Sequence, residues 1–258
     1  MTFAVPAEAY DRFVGRYSYA LCDALAERAG LAAGLSVLDV GAGSGAGTRR
    51  LVELVGPERV AAVEPSEPFV GALRERFPKI DARQGFAESL PFEDDSFDAV
   101  LALLVVNFMA DPKAGVAEMR RVARPGGTLA ACVWDYGGEM QLLGRFWDAV
   151  EELDPEGMGD ADERSRMPYR REGELAGLLR DAGLGGVEDG AIVVSAQYES
   201  FEDLWEPFTA GVGPAGAYAA SLPPDSQDAL KARYRELLEA PDGPFGLSAR
   251  AWYATGRA

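Results

Sequence analysis

Acidic side chains stand beside a glycine-rich segment early in the chain. Asp39 lies in the apolar run Val37–Val40, which continues directly into Gly41-Ala42-Gly43-Ser44-Gly45. Glycines at this density let the backbone turn sharply and let a ligand approach the main chain. Glu64 follows 19 residues after Gly45, about the spacing at which an acidic residue accepts hydrogen bonds from a ribose diol. The two acids and the loop therefore predict a nucleoside-binding site.

The charge of Asp39 separates two classes of ligand. The spacing Gly41-x-Gly43-x-x-Ala46 also satisfies the loose dinucleotide pattern, but a dinucleotide would bring its pyrophosphate next to Asp39. S-adenosylmethionine carries no phosphate, and an acidic site attracts its ammonium and sulfonium groups. A P-loop is excluded because no Gly-Lys-Ser/Thr follows the glycines. An NAD-dependent oxidoreductase is kept as an alternative.

Alternating strands and helices must position these residues. After the loop, the pattern predicts a helix over Ala46–Val55, ended by Gly56-Pro57, and a strand over Val60–Val63 that leads into Glu64. Five further strands are predicted at Asp81–Gln84, Phe97–Val106, Thr128–Trp134, Val187–Tyr198 and Leu247–Thr255. Near-continuous apolar strands alternating with helices are typical of a parallel sheet covered on both faces. The expected fold class is α/β, a doubly wound, mostly parallel, seven-stranded Rossmann-like sheet whose ligand binds at the carboxyl ends of the strands.

Two irregular segments interrupt this alternation within an expected single domain spanning residues 1–258. We expect residues 135–171 and 199–246 to be insertions that form a substrate lid, residues 1–34 to form an N-terminal helical cover, and the acidic run Asp154–Glu163 to be a solvated loop. Aromatic side chains in or near the insertions either wall an apolar acceptor pocket or pack the insertions themselves. These aromatic residues are Trp134, Phe146, Trp147, Tyr169, Trp205, Phe208 and Tyr218.

Composition excludes several function classes. The formal net charge of -17 argues against a nucleic-acid partner, because such binding depends on Lys and Arg. The chain has no histidine, which removes histidine triads and histidine-containing zinc sites, and no metal is expected. Cys22 and Cys132 lie far apart in apolar stretches, as expected of buried thiols. No apolar run reaches the roughly 18 residues of a membrane span. We therefore expect a cytoplasmic protein with no membrane contact.

Taken together, the motifs resemble those of a class I S-adenosylmethionine-dependent methyltransferase that acts on small molecules (methyltransferase domain type 11-like). The matching segments are Val37–Gly45, Glu64, Gly85–Phe92 with Ser96-Phe97-Asp98, and Arg124–Gly127, all within residues 7–135. The resemblance implies an antiparallel last strand, S-adenosylmethionine as cofactor and a small-molecule acceptor. We expect a monomer or homodimer.

The resemblance also assigns roles in cofactor binding. Gly41, Ala42 and Gly43 would line the amino-acid part of the cofactor, and Glu64, followed by Pro65, would hold the ribose hydroxyls. Ala87 and Glu88 would flank the adenine, and Phe86, which replaces a small polar or acidic residue of relatives, would stack on it. The segment Tyr10–Ser18 looks like the helix that folds over the cofactor in small-molecule members. Arg16 and Tyr17 would then meet the methionine moiety, their alternative being core edge and surface.

The reaction expected is in-line displacement of the methyl group by an oxygen, nitrogen or carbon nucleophile of the acceptor. Asp135, just past strand five, is a candidate general base, with loop capping as its alternative. Asn107 follows strand four and is either structural or a neighbour of the cofactor. Val106-Asn107-Phe108-Met109 lacks the prolines of the amino-methyltransferase motif of nucleic-acid enzymes. A cofactor-binding cyclase or eliminase and a cofactor-binding pseudoenzyme are alternative functions.

Overall fold

Seven strands form one mixed sheet in the computed structural model, which describes residues 11–258 except the side chain of Asp160. The strands are β1 (Val37–Val40), β2 (Val60–Glu64), β3 (Asp81–Gln84), β4 (Phe97–Leu103), β5 (Ala123–Trp134), β6 (Gly185–Tyr198) and β7 (Phe245–Arg257). The helices are α1 (Gly15–Arg28), α2 (Ala46–Val55), α3 (Glu67–Arg76), α4 (Pro112–Val122), α5 (Gln141–Leu153), α6 (Pro155–Met158), α7 (Glu163–Arg166), α8 (Glu174–Asp181), α9 (Phe201–Thr209), α10 (Gly213–Ser221) and α11 (Pro224–Leu237). The fold class predicted from the sequence is confirmed.

The strand order β3-β2-β1-β4-β5-β7-β6 places β1 in the interior of the sheet. Asp39 of β1 lies beside Ala62 of β2 and Leu101 of β4, and all three strands run parallel. The order of the strands reverses at β1, so the loop after β1 lies at the switch point where open α/β sheets bind ligands. Strand β7 is antiparallel to both β5 and β6, as the resemblance implied.

Local sequence signals explain where the helices near the site begin and end. Gly45, with φ of 93°, precedes α2, and Gly56, with φ of 91°, follows it. At α4, the Asp111 carboxylate accepts hydrogen bonds from the backbone N–H groups of Lys113 and Ala114, both at 3.1 Å. This cap satisfies two amides that lack a partner within the helix. Ser66 precedes α3, but its side chain makes no capping hydrogen bond.

Apolar layers cover both faces of the sheet. On one face, α1, α2 and the helices of the two insertions pack against side chains such as Val37 and Leu101. On the other face, α4 and α8 pack against Leu38 and Val100. This two-sided burial explains why β1 and β2 consist almost entirely of apolar residues, and why Asp39 and Glu64 stand out within them.

The fourth strand is shorter than the apolar run predicted. It ends at Leu103, and Leu104 adopts φ of 63°, which reverses the chain into a 3₁₀ turn over Val106–Phe108. Residues 104–106 are apolar because they are covered by neighbouring elements. Because these three residues are apolar like the strand before them, the predicted strand was three residues too long.

The acidic run Asp154–Glu163 is largely exposed up to Gly159, as expected from its charge, but it is not a loop and its end is buried. It folds into α6 and a 3₁₀ turn over Gly159–Ala161, and its last two acids, Asp162 and Glu163, are 6% and 3% exposed. The Asp162 side chain accepts a hydrogen bond from the backbone of Arg164 at 2.8 Å and forms an ion pair with the same residue at 3.0 Å. Local pairing therefore compensates the burial of Asp162.

The two insertions pack against each other through aromatic rings. Phe146 of α5 stacks on Phe208 of α9, with ring centroids 4.6 Å apart, and Tyr234 of α11 donates a hydrogen bond to the Leu142 carbonyl at 2.7 Å. Phe13, ahead of α1, meets Phe208 edge to face at 4.8 Å. The predicted cover over residues 1–34 is described only from residue 11, since residues 1–10 lie outside the described part. Among the described residues, no helix is long and apolar enough to cross a membrane.

Candidate cofactor and acceptor site

The glycine loop between β1 and α2 has the backbone conformation that requires glycine. Gly41, Gly43 and Gly45 adopt φ of 69°, 55° and 93°. A Cβ atom at Gly41 would lie 2.5 Å from a methyl group of Val105, whereas one at Gly43 would meet no atom within 4 Å. Val105 thus supports the loop from below, and the backbone at Gly43 is open to a ligand.

Asp39 is a buried carboxylate next to this loop. Its side chain is 3% exposed and accepts a hydrogen bond from the Thr48 hydroxyl of α2 at 2.6 Å. Burial raises the pKa of Asp39 to about 6; the Thr48 hydrogen bond opposes this shift and the nearby Glu64 adds to it. Asp39 lines the cavity over the loop together with Gly43. A cation in that cavity would favour the ionised carboxylate.

Glu64 occupies the end of the neighbouring strand and contacts the same loop. One carboxylate oxygen accepts from the backbone N–H of Gly43 and the other from that of Ser66, each at 3.0 Å. Burial raises the pKa of Glu64, and these two hydrogen bonds lower it in part. A carboxylate has about four acceptor positions, so Glu64 retains capacity for donors of a ligand. Within residues 11–258, neither Glu64 nor Asp39 forms an ion pair.

The segment predicted to flank the adenine lies at the carboxyl end of β3. Phe86 has 65% of its surface exposed, while Ala87 is buried, with 9% exposed. The Glu88 carboxylate accepts hydrogen bonds from the backbone N–H groups of Ala110 at 2.8 Å and Asp111 at 3.2 Å. Glu88 therefore holds the turn before α4, and its place beside the adenine stays a prediction. Pro65 is exposed, and its carbonyl accepts from Gln84 at 3.0 Å.

Helix α1 covers the loop, although through different residues from those predicted. Tyr17 is fully buried, with its hydroxyl 3.3 Å from that of Tyr198, and Arg16 pairs with Asp203 of α9 at 2.5 Å. Neither lines the loop cavity, whereas Ser18 does. Arg16 and Tyr17 thus contact α9 and β6 in this structure, and their contact with the methionine moiety stays a prediction.

A polar contact fastens the start of the cover to the glycine loop. The Ser44 hydroxyl donates a hydrogen bond to Asp11. Arg76 of α3 donates to the Ser44 carbonyl at 2.8 Å and pairs with Asp11 at 3.1 Å. The cavity that α1 covers measures only about 30 Å³. This conformation therefore leaves little free space between α1 and the glycine loop.

Asp135 has a structural partner that the sequence did not reveal. Its carboxylate is 2.7 Å from the Arg250 guanidinium of β7 and accepts from the backbone N–H of Glu139 at 3.0 Å. These contacts use its charge to hold the turn after β5 against β7. Asp135, predicted as a candidate general base from its place in the sequence, is thus paired with Arg250. Its contacts are those of loop capping, the alternative role.

Asn107 is held in the 3₁₀ turn after β4 and is 6% exposed. Its amide nitrogen lies 3.4 Å from the Tyr136 hydroxyl and 3.7 Å from the Met167 sulfur. Its Oδ1 atom is buried without a hydrogen-bond partner among the described residues. Asn107 does not line the loop cavity.

Several residues near the loop were missed in the sequence. Ser18, Leu103 and Leu104 line the loop cavity, and Glu163 is buried in the lid. Ser18 lies on a helix face otherwise read as core, and Glu163 has nothing in its local sequence to distinguish it from its acidic neighbours. The polypeptide reversal at Leu104 has no glycine to announce it. Only their long-range packing identifies these residues.

The residues around the loop fit S-adenosylmethionine. Two carboxylates without basic partners suit a cationic ligand with ribose hydroxyls, and the absence of a Cβ atom at Gly43 allows close approach to the backbone. A pyrophosphate would face Asp39 and Glu64 across the same loop, with repulsion in a partly desolvated setting. The charge argument made from the sequence thus has a geometric counterpart.

Comparisons with known proteins place the chain among methyltransferases. A family model described as a methyltransferase domain matches residues 38–131. An uncharacterized methyltransferase of Mycobacterium tuberculosis is 39% identical over 129 residues, which cover 47% of this chain and 51% of that protein. The chain thus matches about half the length of that relative. An uncharacterized protein of the same species is 30% identical over 204 residues, 76% of this chain and 70% of that protein.

The fold has counterparts among solved structures. Phosphoethanolamine N-methyltransferase 2 of Haemonchus contortus, solved in complex with S-adenosyl-L-methionine, superposes with a TM-score of 0.60 at 17% identity. The superposition covers 97% of this chain and 56% of that one. With the domain match, the relatives and the acidic glycine loop at the switch point, the chain belongs to the class I S-adenosylmethionine-dependent methyltransferases.

Proposed function

We propose that the protein binds S-adenosylmethionine over the glycine loop and transfers its methyl group to a small-molecule acceptor. One observation carries the proposal: Asp39 and Glu64 are buried at adjacent strand ends and form no ion pair within residues 11–258. Buried carboxylates need a cation or several hydrogen-bond donors. The ammonium, the sulfonium and the ribose hydroxyls of this cofactor supply both.

The chain's own residues divide the work of binding. Asp39 attracts the positive end of the cofactor, and Glu64 accepts hydrogen bonds from the ribose while holding the backbone of Gly43. The exposed ring of Phe86 stacks on the adenine, with Ala87 beside it. The loop at Gly41 and Ala42 approaches the amino-acid part. Pro65 follows Glu64 at the edge of this site.

The cofactor supplies an activated methyl group, so the protein mainly aligns the acceptor and excludes water. Good alignment of two reactants is worth roughly 7–11 kcal/mol of barrier. Helix α1 and the insertions, residues 135–171 and 199–246, form the cover and the substrate lid that provide this alignment. The contact of Asp11 with Ser44 and Arg76 holds the cover closed over the loop.

The acceptor is a small molecule rather than a nucleic acid. The net charge of -17 repels a phosphate backbone. The helices of the insertions lie over the carboxyl ends of the strands, where Phe208 of α9 meets Phe13 at the start of the cover. A large polymer would have to displace this apolar packing to reach the loop.

Calorimetry with S-adenosylmethionine and S-adenosylhomocysteine tests the proposal. We expect saturable binding of both, weakened about tenfold or more in Asp39→Asn and in Glu64→Gln, since a charge-assisted contact contributes about 1.5–3 kcal/mol. Asp94→Asn is the matched control, because its carboxylate is 72% exposed and pairs with Arg121 far from the loop. Absence of binding, or displacement by NAD, would overturn the proposal.

A further inference from the structure

A second cavity lies next to the glycine-loop cavity, beneath the lid. Its walls are the rings of Phe13, Phe108, Trp134 and Tyr136 and the side chain of Val212. Glu163 is its one ionisable carboxyl group among the described lining residues, and none of those residues is Lys or Arg. An apolar chamber with a single carboxylate is a specific environment for a ligand.

The two cavities are neighbours through shared structure. Leu104 lines both. Ser18 of α1 lines the loop cavity, and Val14, the residue before α1, lines the second. Leu104 holds the left-handed conformation, with φ of 63°. Such strain in a residue other than glycine costs of order 1–3 kcal/mol and occurs at functional sites. Leu104 therefore forms the wall between cofactor and second cavity.

Glu163 lies in the wall of the second cavity, and other residues of the lid hold it in place. It is 3% exposed, and the indole nitrogen of Trp147 donates to its carboxylate at 3.3 Å. Burial raises the pKa of Glu163 to about 7; Trp147, Arg166 and the backbone of Ala215 lower it, and Asp162 raises it. A carboxylate of this kind accepts a proton readily near neutral pH.

A second polar group next to the cavity also needs a donor. The Oδ1 atom of Asn107 is buried without a partner among the described residues, and its amide nitrogen lies 3.4 Å from the Tyr136 hydroxyl at the cavity wall. Met167, whose backbone N–H donates to the Glu163 carbonyl at 3.1 Å, contacts the same amide. Asn107 thus lies close to the cavity wall at Tyr136, and its oxygen has no hydrogen-bond donor among the described residues.

We propose that this cavity binds the reacting group of the acceptor, and that the acceptor is an apolar, aromatic-sized molecule carrying a hydroxyl or amine whose proton Glu163 accepts. The inference rests on the proposed function and adds the chemical class of the acceptor and the general base. Acceptors that carry a carboxylate or phosphate at this position are disfavoured, because Glu163 repels them and no Lys or Arg stands among the described lining residues to offset that repulsion.

The step balances as follows for a hydroxyl acceptor. The acceptor oxygen forms a bond to the methyl carbon, the carbon–sulfur bond breaks, and its electron pair stays on sulfur as S-adenosylhomocysteine. The hydroxyl proton passes to Glu163 and then to water as the product leaves. An ammonium acceptor gives one proton to Glu163 before attack, and the methylated product leaves as a protonated amine.

The size of the cavity limits what is enclosed in this conformation. Its volume of about 40 Å³ compares with the roughly 10–15 Å³ that a cavity needs to hold one water, which is room for the reacting group alone. The body of the acceptor therefore enters as the lid moves. Val212, between α9 and α10, and Pro214, in the first turn of α10, line this side of the cavity, so this part of the lid must shift.

Four probes of similar shape test the class of acceptor: phenol, benzylamine, toluene and benzoate. Each is titrated calorimetrically into the full chain, with and without saturating S-adenosylhomocysteine. We expect phenol and benzylamine to bind at least tenfold more tightly than benzoate. The affinity of toluene should lie between that of benzoate and those of phenol and benzylamine. Equal affinity for benzoate and benzylamine would overturn the proposal. The titrations without S-adenosylhomocysteine measure probe binding independently of the cofactor. If the cofactor does not bind, the proposed function is overturned, and the order of the probe affinities still tests the acceptor class.

Glu163→Gln identifies the residue responsible. We expect it to weaken benzylamine binding about tenfold or more and to remove the loss of benzylamine affinity below pH 7, while toluene binding stays unchanged. Unchanged binding of S-adenosylhomocysteine shows that the variant folds. Glu156→Gln, an exposed acid in the same insertion, is the matched control and leaves all four affinities unchanged. Wild-type benzylamine affinity in Glu163→Gln would contradict the assignment.

Discussion

At the scale of single residues, two buried acids in different parts of the fold have a raised pKa. Asp39 is enclosed by the glycine loop and α2, with Glu64 nearby. Glu163 is enclosed by lid aromatics, with Asp162 and Arg166 nearby. In both, burial is the main cause of the raised pKa. A ligand that supplies positive charge or hydrogen-bond donors therefore stabilises the ionised form of both. Ligand binding should accordingly depend on pH.

We expect cofactor affinity to fall by about tenfold between pH 7 and pH 5, because the fraction of ionised Asp39 falls as pH drops through its pKa of about 6. Glu64, whose pKa is also raised, adds in the same direction. Calorimetry with S-adenosylmethionine across this range measures the effect. Asp39→Asn is expected to bind weakly with a much flatter profile. A wild-type affinity that does not change with pH would contradict this explanation.

Replacement of Glu163 is expected to stabilise the fold at high pH. The pKa of Glu163 is about 7 in the folded protein against an ordinary 4.5, so stability from this group is complete below pH 4.5 and is lost as pH rises to about 7. The shift of about 2.5 units corresponds to about 3 kcal/mol. Glu163→Gln should therefore gain stability relative to wild type as pH rises.

Urea unfolding at pH 5 and pH 8 measures this difference. The gain of Glu163→Gln should be larger at pH 8, and the exposed control Glu156→Gln should show no such dependence. A variant less stable than wild type at pH 8 would mean that the carboxylate serves packing rather than chemistry. Functional groups often carry such a stability cost.

At the scale of elements, the turn after β1 shows what local sequence can predict. Helix α2 has the predicted bounds, because glycines and Gly56-Pro57 act within a few residues of the chain. Strand β4 ended earlier than predicted, because the reversal at Leu104 depends on neighbours distant in sequence. The loop itself depends on both, since Gly41 is required by its φ and by its contact with Val105.

Gly41→Ala separates these two requirements. The new Cβ atom would lie 2.5 Å from Val105 at φ of 69°, so we expect weaker cofactor binding and a loss of stability larger than that of the control. Gly34→Ala is the control, because its φ of 93° is also positive but its Cβ atom would meet nothing within 4 Å. Thermal unfolding and calorimetry compare the two. Equal losses would show that backbone strain alone matters.

At the scale of the whole molecule, the lid and the sheet share one apolar core. The cluster that contains Phe146, Phe208 and Tyr234 is continuous with side chains of α1, α2 and the sheet, such as Leu101 and Cys132. The lid is therefore not an appendage that folds on its own. Movement of the lid must break a limited set of contacts at its edge, and the Phe13–Phe208 contact lies at that edge.

Phe208→Ala is expected to loosen the lid while the sheet stays folded. Truncation of a buried phenylalanine costs about 3–5 kcal/mol, and Phe208 is fully buried among rings of both insertions. Hydrogen exchange should accelerate in α5, α9 and α11 but not in β1 or β4. Val193→Ala, at a side chain that is 60% exposed on β6, is the control. Uniform acceleration would show that lid and sheet open as one unit.

The sequence by itself determined the order of strands and helices, the glycine loop and the acids Asp39 and Glu64, because strand periodicity, turn residues and spacing act locally. Tertiary structure alone decided the fate of acids outside these patterns. Asp135 is paired with Arg250, 115 residues away, and Glu163 is buried beside Trp147 although its run looks solvated. The environment of a carboxylate depends on which distant elements cover it, and that packing has no signature in the neighbouring residues.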